Sequence, residues 1–446
     1  MPASPARTAA FDILLRVERE SSYASELLHS NAYATLSTPD HALATELVMG
    51  VLRWRSLLDD KISSASSQPL RKLDPEVLIA LRLALYQFLY LDRIPHRAAL
   101  HESVELVKRA RKTSAAPFVN AVLRKLSKVP QCSAVLSVLS DVSTQAIAAA
   151  YAHPIWLVER WTQAYGLEVV EKICQHNQTI PPTTLRLRSS KAEEELTAEG
   201  ISLEPGNLLS SARRVNSGDV TKTHSFRSAH AVIQDEASQL IAALAGPGHE
   251  QVLDCCAAPG GKTLAIADLN PEATITAVEI YPHRARQMQK RFPADTKIQT
   301  LVADARTLPI AQPFNLVLAD VPCSGTGTLS RNPEIKWRLK QEDLPELHDR
   351  QLAILRSAAA HLHPGGRLIY STCSLEKEEN EDVVEQALKE GPNLSLLDCR
   401  TELDRLRSTG VLTWPDPPSL TKGPYLRTIP GIHPCDGFFA AILERI

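Results

Sequence analysis

Short, continuously apolar segments alternate with helical segments in the second half of the sequence, and this alternation restricts the fold more than any other feature. From about residue 231 the apolar segments are QVLDC, TITAVEI, IQTLVAD, FNLVLADV, GRLIYSTCS and FFAAILER. Such strands, separated by helices, are typical of a mostly parallel sheet covered by helices on both faces. Because ligands of these sheets bind beyond the carboxyl ends of the strands, the residues after each strand are the first candidates for a site.

The first 130 residues follow another pattern, with apolar side chains at helical spacing throughout. The spacing predicts helices over residues 7–28, 41–62, 75–90 and 95–111 and over FVNAVLRKL. Lys and Arg outnumber Asp and Glu in this part, although the formal net charge of the whole chain is −2. We therefore expect a separate, basic, all-helical unit at the N-terminus.

Four cations meet where the fourth of these helices ends, and we call them the basic cluster: Lys108, Arg109, Arg111 and Lys112. Cations at the C-terminus of a helix interact favourably with the helix dipole. The same four cations would also suit the phosphates of a nucleic acid. The sequence leaves both interpretations open.

Residues 131–227 are predicted to form a small α+β connector. Helical spacing covers residues 133–150 and 155–165, and Pro181-Pro182 then interrupts the chain before TTLRLR, a short strand of alternating polarity. A helix over residues 191–199 follows. The predicted domains are therefore residues 1–130, 131–227 and 228–446.

Composition excludes several classes of protein. Hydrophobic residues make up 44% of the chain and charged residues 22%, which excludes collagen, coiled coil and bulk disorder. The cysteines form no C-x-x-C pair, so neither a zinc site nor a disulfide scaffold is expected. Apolar runs are too short for a membrane helix, and the N-terminus lacks the apolar core of a signal peptide. We expect a cytoplasmic protein with reduced thiols, no metal and no membrane contact.

The first three predicted strands are followed by residues that suit a nucleoside. The first leads into CAAPGGKT, residues 256–263, whose glycine pair lets backbone approach a ligand at a helix N-terminus. Glu279 ends the second strand and could accept hydrogen bonds from ribose hydroxyls. Asp304 ends the third and could meet an adenine amino group. A P-loop would need glycine where Cys256 stands, and a plain glycine-rich turn would leave the acidic strand ends unexplained.

The fourth predicted strand ends in Asp320, which adds another carboxylate to this edge. Carboxylates repel phosphates, so the pocket suits a phosphate-free nucleoside with a positive centre, such as S-adenosylmethionine. Pro322 then stiffens the link from Asp320 to Cys323, and Cys373 follows a later strand in YSTCS. A thiolate is a natural nucleophile toward an electron-poor ring carbon. A single cysteine is more often buried and inert, but two cysteines at two strand ends predict catalysis.

These segments resemble the signature blocks of a known family. DCCAAPGGKT, ADVPCSGTGTLSRNPEIKW, GGRLIYSTCS, EKEEN and HPCDGFFAAIL, within about residues 230–446, resemble RNA cytosine-5 methyltransferases. PHRAALHESVELVKRA and FVNAVLRKL resemble the NusB-like helical domain of the bacterial RsmB (Sun/Fmu) branch. The resemblance implies a multi-domain chain: an all-α NusB-like N-terminal domain, a small α+β connector and a C-terminal α/β Rossmann-like methyltransferase domain. It also implies methylation of a cytosine in 16S ribosomal RNA with S-adenosyl-L-methionine as cofactor.

The resemblance also implies roles for individual residues. Cys373 would attack carbon 6 of cytosine and form a covalent adduct, Cys323 would assist release, and Asp320 would contact ring nitrogen 3 as a protonated donor. Asp254 is a further cofactor candidate, and Arg284, five residues after Glu279, could add a hydrogen bond to the cofactor. The implied cofactor contacts are Cys256, Ala257, Ala258, Pro259, Gly260, Gly261, Lys262, Glu279, Asp304 and Asp320.

The partner expected from this chemistry is 16S ribosomal RNA, bound by a monomer. The target cytosine must leave its stack to meet a cysteine, while the basic N-terminal unit would hold RNA through phosphates. Lys336, Trp337 and Arg338 are expected to line the RNA path, with Trp337 either stacking on a base or filling the core.

Three alternatives compete with this interpretation. DNA cytosine-5 enzymes use the cysteine equivalent to Cys323 as the nucleophile and lack the one equivalent to Cys373, whereas tRNA-directed relatives usually lack the NusB-like domain. A binding factor built on a decayed methyltransferase fold would have lost Cys373, Asp320 or the glycine loop, and all three are present. An ATPase of the P-loop class conflicts with Cys256 and with the acidic strand ends.

Overall fold

A computed structural model of the chain describes residues 3–20, 22–128, 143–294, 296–391 and 393–446. The chain divides into two compact units. The first comprises Met1–Ile180 and Leu329–Leu339, and the second comprises Pro181–Thr328 and Lys340–Ile446. The domain boundaries predicted at residues 130 and 227 stay predictions, and the first part of the helix expected over residues 133–150 lies outside the described residues.

The first unit is helical in the described residues. Its helices are α1 (Pro5–Glu20), α2 (Ala24–Leu28), α3 (Thr38–Arg53), α4 (Arg55–Ala65), α5 (Pro75–Tyr90), α6 (His96–Arg109), α7 (Ala116–Leu126), α8 (Thr144–Ala150), α9 (Ile155–Tyr165), α10 (Leu167–Asn177) and the short α16 (Ile335–Arg338). Proline in the first turn of α5 and the Ser37 cap of α3 set two of the helix starts. The apolar faces meet in one core that includes Phe11, Leu81 and Phe88.

Two of the predicted helices are each broken in two. The helix predicted over residues 7–28 is α1 followed by α2, and the one predicted over residues 41–62 is α3 followed by α4. Trp54, between α3 and α4, leaves the helical conformation with φ −105° and ψ 15°. Apolar spacing continues across such a break, so periodicity alone does not reveal it.

The segment Leu329–Leu339 packs within the first unit. Lys336 is 1% exposed, and its ammonium donates to the carbonyls of Arg53 at 2.8 Å and Ala152 at 2.9 Å. Burial lowers the pKa of Lys336 well below its usual value. The indole of Trp337 donates to the Leu52 carbonyl at 2.6 Å. The expectation that Lys336 lines the RNA path is therefore wrong, whereas Trp337 is half-buried and both roles expected for it stay predictions.

The connector contains a small antiparallel sheet. Its strands are β1 (Thr184–Leu187), β2 (Ser202–Pro205), β3 (Ala212–Ser217) and β4 (Ala231–Ile233), in the order β2-β3-β1-β4. Two helices accompany them, α11 (Ser190–Ala198) and α12 (His224–Arg227). This arrangement confirms the α+β character expected for the connector, although β4 begins beyond residue 227.

A nine-stranded sheet organises the rest of the second unit. Its strands are β5 (Gln251–Asp254), β6 (Thr274–Glu279), β7 (Ile298–Val302), β8 (Phe314–Asp320), β9 (Leu362–Thr372), β10 (Leu394–Leu397), β11 (Thr421–Lys422), β12 (Tyr425–Arg427) and β13 (Phe439–Arg445). Its helices are α13 (Glu236–Ala243), α14 (Gly261–Leu269), α15 (Pro282–Gln289), α17 (Leu344–Ala360), α18 (Glu381–Glu390) and α19 (Cys399–Ser408).

The five strands at the centre of this sheet run parallel in the order β9-β8-β5-β6-β7, which confirms the predicted α/β domain. Strand β13 pairs antiparallel with β9. The chain order reverses between β5 and β8, and ligands of such sheets bind at this reversal. One strand end differs from the prediction, because β7 ends at Val302, two residues before Asp304. None of the helices in the described residues is long and apolar enough to cross a membrane.

Candidate active site

The loop between β5 and α14 lies at the reversal point of the sheet. Gly260 caps α14 with φ +101°, a backbone conformation that favours glycine. A Cβ atom there would also lie 2.9 Å from the ring of Phe292, so no larger residue fits. The loop therefore brings bare backbone and the N-terminus of α14 to the edge of the sheet.

Asp254 ends β5 and is buried beneath this loop. One carboxylate oxygen accepts a hydrogen bond from the Thr263 hydroxyl at 2.7 Å. The other, Oδ1, is buried and has no hydrogen-bond partner among the described residues. Burial raises the pKa of Asp254 to about 7. A ligand that donates a hydrogen bond or brings a positive charge would satisfy the free oxygen.

A cleft joins the loop to the end of β8. It is lined by Ile233, Gln234, Asp235, Ser238, Asp254, Cys256, Ala257, Ala258, Pro259, Gly261, Lys262 and Asp320. The structure thus brings most of the predicted loop together with Asp320. Sequence reasoning missed Gln234, Asp235 and Ser238, because these residues precede or begin α13 and belong to no strand end that the apolar pattern marks.

Asp320 is held between two donors. Lys262 donates to its Oδ2 at 2.7 Å, and the Ser371 hydroxyl donates to its Oδ1 at 2.7 Å. Burial by itself lowers the pKa of Lys262, but the charges of Asp320 and Cys373 outweigh it and raise that pKa above its usual value. In both contacts Asp320 accepts, whereas the role expected from the resemblance requires Asp320 to donate. Lys262 thus contacts the proposed catalytic carboxylate as well as the cleft.

Glu279 and Asp304 lie outside the residues that line this cleft. Glu279 is buried at the end of β6, where it accepts the amide of Tyr281 at 2.8 Å and faces Arg284 at 3.7 Å. Arg284 therefore forms an ion pair with Glu279, and the hydrogen bond expected from Arg284 to the cofactor stays a prediction. Asp304 binds its neighbour Arg306 at 2.6 Å, and this hydrogen bond lowers the pKa of Asp304. Both carboxylates remain candidates for a nucleoside that extends along the sheet edge beyond the cleft.

The two predicted catalytic cysteines face each other. Their sulfur atoms are 3.2 Å apart, and the amide of Cys373 donates to the sulfur of Cys323 at 3.3 Å. The neighbouring Cys373 sulfur and burial raise the pKa of Cys323 well above its usual value. Either sulfur can donate to the other across this contact.

Two glycines bring the cysteine loops together. Gly327 donates its amide to the Cys373 carbonyl at 2.9 Å and accepts the amide of Gly437 at 2.8 Å. A Cβ atom on Gly327 would lie 2.1 Å from the Gly437 carbonyl oxygen. The GTG and DGFF segments therefore need glycine because backbone meets backbone at this point.

The basic cluster of the first unit is largely paired with carboxylates. Lys108 binds Glu105 at 2.7 Å, Arg109 binds Asp12 at 2.8 Å, and Lys112 binds Asp74 at 3.0 Å. Three of the four cations thus have a counter-charge, which favours the helix-end interpretation over a phosphate site.

The residues of the cleft fit S-adenosyl-L-methionine. The free oxygen of buried Asp254 and the carboxylate of Asp320 suit the amine and the positive sulfur of that molecule. The same carboxylates would repel a phosphate. Bare backbone at the N-terminus of α14 leaves room for close approach. Among the described residues no group of acidic, His and Cys side chains could hold a metal ion.

Comparison with known proteins places each part of the chain. Residues 241–444 match the family model "16S rRNA methyltransferase RsmB/F", residues 4–128 match the NusB family, and residues 153–221 match the "Methyltr_RsmF/B-like, ferredoxin-like domain". The three matches confirm the NusB-like domain, the connector and the methyltransferase domain that the sequence predicts.

Relatives align along most of the chain. A Bacillus subtilis protein named "Probable ribosomal RNA small subunit methyltransferase B" is 36% identical over 88% of this chain and 90% of its own. "Ribosomal RNA small subunit methyltransferase B" of Cronobacter sakazakii is 31% identical over 92% of each chain. The crystal structure of PH0851 has the same fold, with a TM-score of 0.79, 23% identity and 99% coverage of both chains.

Proposed function

The chain belongs to the RsmB/F family of 16S ribosomal RNA methyltransferases, and from this we propose that it methylates carbon 5 of a cytosine in 16S ribosomal RNA through a covalent cysteine adduct. Methylation of ribosomal RNA with S-adenosyl-L-methionine follows from the family. We propose in addition that the base is cytosine, that the methyl group goes to carbon 5, and that a covalent cysteine adduct forms. The cytoplasmic location and the monomeric state expected from the sequence stay predictions.

The observation that carries the proposal is the pair of cysteines 3.2 Å apart. A Cys373 thiolate attacks carbon 6 of the cytosine and forms a sulfur–carbon bond, which makes carbon 5 nucleophilic. Bound S-adenosyl-L-methionine supplies an electrophilic methyl group. Once carbon 5 carries the methyl group, loss of its proton and cleavage of the bond to Cys373 restore the ring. The interaction between Lys262 and Cys373 is one of the causes of the raised pKa of Lys262.

Cys323 is proposed to assist this elimination. It directly contacts Cys373, and its raised pKa keeps it protonated while Cys373 attacks. It can therefore exchange a proton beside the bond that must break. Asp320 is proposed to contact ring nitrogen 3 of the base. Since Lys262 and Ser371 both donate to Asp320, donation from Asp320 to ring nitrogen 3 requires a proton on the carboxyl, which the Lys262 ammonium in contact with it can supply.

The proposed cofactor contacts are the loop from Cys256 to Lys262, then Asp320, Glu279 and Asp304. The cleft supports the first two groups, because it is lined by most of the loop and by Asp320. Glu279 is proposed to bind ribose hydroxyls and Asp304 the adenine amino group. The support for these two is their position after the neighbouring parallel strands β6 and β7.

Substitution of each cysteine tests the mechanism. Cys373→Ala should abolish methylation and leave no covalent RNA adduct. Cys323→Ala should still attack the base, so a protein–RNA species that survives denaturing electrophoresis should accumulate. Cys174→Ala is the control, because Cys174 is buried in the first unit and burial raises its pKa to about 12. An adduct with Cys373→Ala and none with Cys323→Ala would reverse the roles and weaken the assignment of an RNA substrate.

The target base can be found directly. Bisulfite sequencing of 16S ribosomal RNA should show one protected cytosine that becomes convertible in cells that lack the gene. The purified protein should then restore protection at that cytosine in RNA and not in the matching DNA. Unchanged protection in the deletion strain would refute the proposed reaction.

A further inference from the structure

A buried carboxylate lies behind the cysteine pair and belongs to no part of the mechanism above. Glu379 is 0% exposed and lies in the turn Lys377–Glu379 that precedes α18. Its motif, EKEEN, marks family resemblance, but the sequence assigns it no task. A carboxylate removed from water needs several hydrogen bonds to be tolerated, so its partners show what it holds.

Every hydrogen bond that the Glu379 carboxylate accepts from the described residues comes from a group beside one of the two cysteines or from Gln351. The Ser324 amide donates to Oε1 at 2.8 Å, and the Ser324 hydroxyl donates to Oε2. The Ser374 hydroxyl donates to Oε2 at 2.5 Å. Ser324 directly follows Cys323, and Ser374 directly follows Cys373. One carboxylate thus joins two loops that leave different strands of the sheet.

Gln351 extends the link to α17. Its side-chain amide donates to Glu379 Oε1 at 2.8 Å and to the Pro322 carbonyl at 3.1 Å. The residues on both sides of Cys323 are therefore held, directly or through Gln351, by the same carboxylate. All of these donors are neutral groups, so the negative charge is spread over hydrogen bonds and not cancelled by a cation.

We propose that Glu379 is a positioning residue for the cysteine pair: its carboxylate fixes both loops so that Cys323 and Cys373 stay in contact. This inference rests on the proposed two-cysteine reaction and adds the group that sets its geometry. Loss of the carboxylate would release two loops together, which no substitution of a single hydroxyl does.

The carboxylate of Glu379 also acts on Cys323 through its charge. The titratable groups that face Cys323 are Cys373, Glu379 and Tyr370, and Lys262 faces Cys373. After the Cys373 sulfur and burial, the charge of Glu379 also contributes to the raised pKa of Cys323. Replacement of Glu379 by a neutral residue should therefore make the Cys323 thiolate easier to form.

Alkylation of Cys323 by iodoacetamide tests this without RNA or cofactor. In a Cys373→Ser background, Glu379→Gln should shift the alkylation of Cys323 to lower pH and make it roughly tenfold faster at a fixed pH below the midpoint. Glu379→Asp keeps the charge and should retain the original pH profile. Glu385→Gln, at an exposed position of α18, is the control and should change nothing. An unchanged profile in Glu379→Gln would overturn the electrostatic role.

Steady-state kinetics with Cys373 present test the positioning role. Glu379→Gln should lower kcat for methylation about 100-fold, as a displacement of about 1 Å can do, while the KM for S-adenosyl-L-methionine stays within about twofold. Glu379→Asp should recover part of the loss. If Glu379→Gln does not fold, Ser324→Ala and Ser374→Ala each remove one donor and should each lower kcat. If all of these variants turn over as fast as Glu385→Gln, the positioning role is refuted. If the wild type is inactive but Glu379→Gln shifts the alkylation of Cys323 as expected, only the proposed reaction is refuted.

Discussion

Gly327→Ala should disable the cysteine pair while leaving the cofactor cleft intact. The added Cβ atom would lie 2.1 Å from the Gly437 carbonyl oxygen, 2.7 Å from the Gly437 carbonyl carbon and 2.9 Å from the Cys373 carbonyl oxygen. All three atoms belong to the backbone, so no side chain can rotate away. A carbon–oxygen contact is comfortable at about 3.3 Å, and one of the two loops must therefore move by about 1 Å.

That displacement sets the size of the expected effect. A shift of about 1 Å at reacting groups can lower the rate about 100-fold, and overpacking costs about 1–3 kcal/mol of unfolding free energy. Gly327 does not line the cleft, so binding of S-adenosyl-L-methionine should be preserved. The prediction is therefore a large loss in kcat, a modest loss of stability and an unchanged cofactor affinity.

Single-turnover methylation, urea unfolding and calorimetry measure these three quantities on the same protein. Gly391→Ala is the matched control, because its Cβ atom would meet the Ala387 carbonyl at 3.2 Å and Leu394 at 3.7 Å, away from the cysteines. Turnover of Gly327→Ala within about threefold of the wild type would refute the reasoning, since it would mean that the loops absorb the clash without moving Cys373.

Three further predictions follow from the other site residues and the basic cluster. Glu279→Ala should weaken binding of S-adenosyl-L-methionine roughly tenfold to a hundredfold in calorimetry, because a charge-assisted hydrogen bond contributes about 1.5–3 kcal/mol; equal affinity in Glu279→Ala and in the exposed control Glu272→Ala would remove Glu279 from the site. The wild type should lose up to about 4 kcal/mol of unfolding free energy between about pH 4 and 7, because the pKa of Asp254 is about 7 in the folded state and lower in the unfolded state. Only the folded state keeps the proton on Asp254 in this range. Asp254→Asn should remove this loss. Urea unfolding at several pH values checks this, and parallel pH curves for the two proteins would contradict it. Replacing the basic cluster by glutamine should change the logarithmic salt slope of RNA binding by no more than about one unit, because three of its cations already face carboxylates; a larger change would restore the phosphate interpretation.

Local sequence was sufficient to predict most helices and strands and to place the functional side chains along them. Continuous apolar runs predicted the strands that end in Asp254, Glu279 and Asp320 and the strand that leads into Cys373, because a strand covered on both faces leaves little place for polar side chains. Proline marked the start of α5 for an equally local reason, since it lacks the amide that a first turn does not use. These signals depend only on neighbours along the chain.

Local breaks and strand limits were less predictable. Apolar spacing runs through Trp54 although α3 ends before it, and the apolar segment that ends in Asp304 outlasts β7 by two residues. In both cases the helix or strand ends while the apolar pattern continues, so the pattern does not predict where it ends.

Only the tertiary structure decided what the functional groups contact. The 3.2 Å between Cys323 and Cys373 depends on loops that leave two strands and meet where Gly327 packs on Gly437. The same holds for Lys262, which pairs with Asp320, and for Glu379, which joins both cysteine loops. Lys336 carries a cation that could bind RNA phosphates, but it is buried and donates to two backbone carbonyls, so it cannot line an RNA path. A sequence specifies which group each residue carries, whereas burial and distance arise from segments far apart in the chain, and these determine which groups ionise, pair or react.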